Sequence, residues 1–134
     1  MEIVNTILGS SIVIGLIGIV AKYYSDIRID HLNRKKKVYD DLAQSLRVFL
    51  NDGSDEYKRS FLACNTSVWL WGSDKVLIQL SEFLAYIQDR EKDSLDQSKI
   101  KSLFRKIIIE MRKDVGFANT KIIEEQIQLV NFHY

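Results

Sequence analysis

Residues 3–21, IVNTILGSSIVIGLIGIVA, run for nineteen positions without a charged side chain. At 1.5 Å per residue a helix of that length is about 29 Å long, close to the ~30 Å hydrocarbon core of a bilayer. The stretch is apolar on every face rather than along one stripe, which is the pattern of a helix immersed in lipid or in a core. Asn5, Thr6, Ser10 and Ser11 dilute it, and Glu2 bounds it. A cleaved signal peptide needs a basic n-region and a small-residue cleavage site. Only Glu2 precedes the apolar run and Lys22-Tyr23-Tyr24 follows it, so the expectation is a retained transmembrane anchor over residues 1–21.

The charge distribution sets the expected orientation. Residues 22–37 carry six basic side chains against Asp26 and Asp30, whereas residues 38–134 carry 13 basic and 15 acidic ones. Basic residues flanking a span stay on the cytoplasmic side. The reading is therefore a single-pass protein of the inner (plasma) membrane, N-terminus outside, with a basic juxtamembrane stalk over 22–37 and a cytoplasmic domain over 38–134. Tyr23 and Tyr24 fall where interfacial aromatics belong. Within the span, Ser11, Gly15 and Gly18 recur at spacings of four and three, a small-residue stripe suited to helix packing in lipid. The cluster Arg34-Lys35-Lys36-Lys37 is the candidate membrane-surface site. It begins about 20 Å beyond the span if the stalk is a straight helix along the normal, farther than a Debye length of ~8 Å, so its attraction to headgroups requires the stalk to bend or lie flat.

Proline is absent and apolar residues recur at helical spacing along the remaining chain. Tyr39, Leu42, Leu46 and Phe49, widened by Val38, Ala43 and Leu50, form a core-facing stripe on a helix that continues from the membrane. Asn51-Asp52-Gly53 signals a turn, and Ser54 is placed to cap a second helix. Tyr57, Phe61, Cys64, Asn65 and Val68 mark that helix's inner face, broadened by Leu62 and Trp69, and Gly72 is expected to end it as a left-handed cap. Ser73-Asp74 restarts a third helix on Val76, Leu77, Leu80, Phe83, Leu84 and Ile87. Residues 89–97 read as a polar loop. A fourth helix from about Ser98 carries Ile100, Leu103, Phe104, Ile107, Ile108 and Met111, with Gly116 as its terminator. A short fifth helix over Lys121 to Asn131, capped by Thr120, completes the expectation. The fold class is all-α: an N-terminal transmembrane helix continuing into an antiparallel four-helix, optionally five-helix, bundle.

Phe61-Leu62-Ala63, Gly72-Ser73-Asp74-Lys75-Val76 and Ile108-Ile109-Glu110-Met111-Arg112-Lys113-Asp114-Val115-Gly116 together resemble an uncharacterised group of small bacterial single-span membrane proteins. That group carries a cytoplasmic helical domain ending in a Met-Arg-Lys/Arg-Asp-x-Gly motif. The likeness covers most of residues 38–116 and implies a fold and a topology rather than an activity.

Chemistry-bearing residues are few. Cys64 is the only cysteine, so no intramolecular disulfide forms, and its place on an apolar face marks it as a small buried hydrophobe. His31 and His133 lie at opposite ends of the segment after the span. No phosphate loop, HExxH or calcium-loop motif occurs. Asp40-Asp41 and Glu124-Glu125 are adjacent pairs that do not converge on one substrate. The expectation is no enzyme, no cofactor, no metal, no nucleic-acid partner and no small-molecule substrate. Trp71, Arg112, Lys113 and Asp114 form the candidate partner surface, with Arg112 placed to pair with Asp74. The partners expected are the lipid bilayer and either another protein or a second copy. The functional reading is a membrane-anchored, non-catalytic helical interaction or scaffold module. The alternative is a small membrane-active effector, of toxin or defence type, that oligomerises through its span. A structural oligomer built on a coiled-coil stalk ranks third, because residues 22–37 lack a sustained apolar heptad.

Overall fold

The computed structural model describes residues 2–49, 55–90 and 94–129, without the side chains of Glu2, Val4, Ile7, Leu8, Val48 and Tyr57. The expected turn at 51–53, the cap at Ser54 and the face residues Leu50, Tyr57 and Val130 lie outside it. Among the described residues the chain is all-helical, with four α-helices and no strand. They are α1 (Glu2–Ser45), α2 (Asp55–Trp71), α3 (Asp74–Gln88) and α4 (Gln97–Asp114). A 3-10 turn, Leu46–Phe49, follows α1, and a second, Glu124–Gln126, follows α4.

The chain forms two compact units, Met1–Arg34 and Lys35–Tyr134. The first is the N-terminal part of α1. Among the described residues no helix is long and apolar enough to cross a membrane. The unbroken described apolar stretch there is Gly9 to Ala21, about 20 Å of helix, because Val4, Ile7 and Leu8 fall outside the described side chains.

In the second unit the core gathers one stripe from each helix. Tyr39, Leu42 and Leu46 meet Cys64 and Val68 of α2, Val76, Leu80 and Phe83 of α3, and Ile100, Leu103, Phe104, Ile107 and Met111 of α4. The 3-10 turn after α1 sets Phe49 edge-on to both Phe61 and Phe83, with ring centroids 5.3 and 5.4 Å apart. Edge-to-face geometry places the positive rim of one ring on the negative face of the next. α3 and α4 make the closest helix pair and run antiparallel. The start of α3 and the end of α4 meet at Tyr39, while Tyr86 near the end of α3 accepts the Asp96 amide at the start of α4.

The helix ends follow local rules. Ser73 caps α3 through the Val76 amide, and Asp96 caps α4 through the Ser98 amide. Gly116 ends α4 with φ +123°, and the Phe117 amide reaches back to the Arg112 carbonyl at 3.2 Å. Three expectations are corrected. Gly72 has no positive φ; it is glycine because a Cβ there would lie 2.7 Å from the Val68 carbonyl oxygen. Trp69 and Leu62 do not broaden the core face of α2: they are 51 % and 69 % exposed, on its outer side. The fifth helix is a single 3-10 turn, flanked by extended Ile123 and Ile127. Its contacts explain this. Arg105 Nε takes the Ile127 carbonyl, Ser102 and Lys106 hold Glu124, and Thr120 Oγ1 accepts the Ile122 amide in a local turn. These α4 side chains hold the segment in an extended path along α4, which competes with helical closure.

Phe83 sits at the centre of the packing and is fully buried. Phe83→Ala should cost about 3–5 kcal/mol in denaturant or thermal unfolding. Ile78→Ala, on the outer side of α3, should stay within about 0.5 kcal/mol of wild type.

Candidate functional site

A polar cluster of the second unit is built where three elements meet. α1 places Lys35 and Tyr39 one turn apart on the side facing the bundle. α4 brings Asp114, its last residue, and α3 brings Ser73, its cap. The Tyr39 hydroxyl donates to Asp114 and accepts the Ser73 amide at 3.0 Å. Lys35 Nζ sits 3.1 Å from the same carboxylate, with both side chains mostly buried. Burial, and then the bond to Asp114, hold the Tyr39 phenol up at about 12 against its ordinary 10.

This cluster redistributes the candidate partner surface. Asp114 faces inward to Lys35 and Tyr39 rather than outward. Arg112 does not pair with Asp74. Its guanidinium stacks 4.1 Å above the Phe117 ring centroid, and its Nε donates to Thr120 Oγ1 at 3.1 Å. Lys113 reaches Glu110 one turn back, at 3.4 Å. Trp71 is half-buried and Asp74 is exposed. Of the basic cluster, Arg34 pairs with Asp30 at 3.2 Å in the first unit, whereas Lys36 and Lys37 are exposed in the second. Ser11, Gly15 and Gly18 lie in the first unit. All three are exposed, and a side chain at either glycine would meet nothing within 4 Å.

An open groove of about 610 Å³ runs between α1 and α2, lined among others by Lys37, Asp41, Glu56, Ser60 and Cys64. At its floor Ser45, buried, touches Cys64 with Oγ 3.1 Å from Sγ. Burial pushes the Cys64 thiol up, against the hydrogen bond from Ser45 that favours the thiolate. A thiol kept protonated is a poor nucleophile. His31 is exposed on α1 in the first unit, and His133 lies outside the described residues. Among the described residues no group of three or more His, Cys, Asp or Glu could hold a metal ion.

Sequence reasoning placed Tyr39 in the core stripe and missed its hydroxyl. The contacts responsible span 34 and 75 positions of chain, so no local spacing announces them. Phe117 and Thr120, the actual partners of Arg112, were also missed. Compared with protein-family models, curated proteins and solved structures, the chain matches none.

Tyr39→Phe removes one acceptor and one donor and leaves the Ser73 amide unmatched, at a cost of about 1–3 kcal/mol. The raised phenol fixes the pH dependence. The neutral form is favoured in the folded state, so its contribution is complete below pH 10 and is lost as pH climbs from about 10 to about 12. The stability gap between wild type and Tyr39→Phe, measured by urea unfolding, should narrow across that window.

Proposed function

We propose that the chain is a membrane-anchored, non-catalytic helical interaction module. In this reading residues 3–21 lie in the bilayer of the inner (plasma) membrane with the N-terminus outside. The unit beginning at Lys35 then works on the cytoplasmic side, where it binds another protein or a second copy.

One observation carries it. Eight aliphatic side chains between Ile3 and Val20 are each at least half exposed: Ile3, Ile12, Val13, Ile14, Leu16, Ile17, Ile19 and Val20. They spread over about 220° of α1, the remaining sector being that of Ser11, Gly15 and Gly18, which is wider than the face a single packing partner covers. Moving eight such side chains out of water is favourable by on the order of 10 kcal/mol, comparable to the whole stability of a small domain. The full charge-free stretch of nineteen residues supplies the length, and the basic residues that follow it supply the orientation. Among the described residues nothing lies within 4 Å of where a side chain at Gly15 or Gly18 would sit. This is compatible with close approach of a second helix in lipid. Support for a non-catalytic role comes from the buried, protonated thiol of Cys64 and from the spending of Asp114 and Tyr39 on each other.

Fractionation of cells expressing the full chain tests the reading. The protein should pellet with membranes and resist alkaline carbonate extraction. Two charges in the stretch, Ile14→Lys with Ile17→Lys, should release most of it, since each basic residue at a helix centre costs about 3 kcal/mol on insertion scales. Wild-type protein recovered in the aqueous supernatant would overturn the proposal.

A further inference from the structure

The outer side of α4 is occupied. At about 100° per residue, Ser102, Arg105, Lys106, Ile109 and Arg112 fall on the half of α4 that faces away from its core residues Ile100, Leu103, Phe104, Ile107 and Met111. Four of the five hold a later segment of the same chain. Arg112 Nε donates to Thr120 Oγ1 at 3.1 Å, and Ser102 donates to the Glu124 carboxylate at 2.9 Å. Lys106 Nζ faces the other oxygen of that carboxylate at 3.9 Å, and Arg105 Nε donates to the Ile127 carbonyl at 3.0 Å. The fifth, Ile109, is half-buried although it lies opposite the core. Together they form a helix face suited to an extended peptide: a carboxylate between two side chains one turn apart, a carbonyl three residues further on, and an aliphatic floor.

We propose that residues 117–129 are an exchangeable arm, which docks on this face of α4 in a second copy and joins two chains reciprocally. The proposal rests on the interaction-module reading above and names its partner as a second copy.

A second copy carries the one occupant whose fit to the face is visible, and each contact made within a chain can be made again between chains. Charge agrees. Residues 97–109 carry Lys99, Lys101, Arg105 and Lys106 and no acid, whereas residues 122–129 carry Glu124 and Glu125 and no base. Release of the arm costs little. Its ion pair to Lys106 is partly exposed, Ile122 and Ile123 are 39 % and 55 % exposed, and Leu129 is its contact with the core. Segments held in this way open at the low end of a domain's range of local stability. Because the contacts are the same in either arrangement, the linker and the concentration decide between them. Gly116 turns the chain back onto its own helix with φ +123°, a conformation that favours glycine. Nine residues, Val115 to Ile123, separate Asp114 from Glu124. Extended, they reach at most about 30 Å, whereas packed helices lie about 8–10 Å apart, so the arm can cross to a neighbouring α4. A membrane that keeps two copies in one layer raises the effective concentration of one for the other.

Two forms of the full chain test it, one with Ser102→Cys and the other with Glu124→Cys, coexpressed and oxidised in the unfractionated lysate; the native Cys64 is buried and stays in place. A disulfide joining position 102 of one copy to position 124 of the other, mapped by mass spectrometry, should form several-fold more than the product of Ser102→Cys with Glu125→Cys, because Glu125 is exposed and outside the grip of α4. Gly116→Ala strains the turn back onto the same helix and should raise the 102–124 yield between copies several-fold. Arg105→Ala should lower it to the level of the Glu125→Cys pair. Equal yields at 124 and 125 signify random collision and overturn the exchange. So does a chain with both cysteines that closes its own disulfide while the separate forms give no mixed product. Fractionation of the same lysate separates this from the membrane reading. Pelleted protein without the mixed product overturns the exchange and leaves the anchor intact, and mixed product in the aqueous supernatant supports the exchange and overturns the anchor.

Discussion

The Tyr39 hydroxyl gives its proton to Asp114 and takes the amide proton of Ser73, so one oxygen joins an internal turn of α1, the cap of α3 and the last residue of α4. The other contacts of this end depend on that join. It orients Asp114 toward Lys35 and fixes the ends of α3 and α4 side by side. The α3–α4 pair then runs antiparallel down to Tyr86 and Asp96. A phenol suits this position because its ring fills the core while its oxygen serves the rim. The buried carboxylate would be costly alone; between a phenol and an ammonium its lone pairs are matched.

Below that end the bundle is held by packing rather than by polar contacts. Eight of the thirteen buried apolar residues among those described are fully excluded from solvent and carry no hydrogen-bonding side chain: Leu42, Leu46, Val68, Val76, Leu80, Phe83, Ile100 and Ile107. The ion pairs elsewhere in the unit are exposed or partly exposed, among them Lys58–Asp55 and Lys106–Glu124, and contribute little each. The short irregular segment after α4 is an exception in kind. It is held by polar groups of α4 that reach its backbone and Glu124, with Leu129 as its apolar contact to the core.

Much of this was legible in the sequence because it is local. The stripe of Val76, Leu80 and Phe83, and that of Ile100, Leu103, Phe104, Ile107 and Met111, follow from the 3.6-residue repeat, and all these residues are buried. The Ser73 cap and the Gly116 stop are equally local, each set by one residue's own chemistry. What failed depended on distant partners. Trp69 has the size of a core residue, but α2 already fills its core side with Phe61, Cys64 and Val68, and position 69 turns outward from them. Residues 121–129 have the spacing of an amphipathic helix, yet α4 offers Arg105 and Lys106 to their carbonyl and carboxylate groups in an extended path. At 112–114 the side chains separate in three dimensions, Asp114 inward and Arg112 onto Phe117.

The exposed apolar surface of the chain is of two kinds, and they call for different surroundings. On α1 between Ile12 and Val20 it covers about 220° of one helix, so a partner protein that presents one face would leave part of it in water. A medium that surrounds the helix is the economical solution, and lipid is one. In the second unit it is scattered: Trp69 and Leu70 on α2, Ile78 on α3 and Phe117 after α4. Single exposed apolar side chains over a well-packed core are ordinary on a protein surface and call for no partner. The two kinds of surface therefore differ in what they demand: the first is continuous along one helix and is unfavourable in water, whereas the second is the remainder of a core already filled.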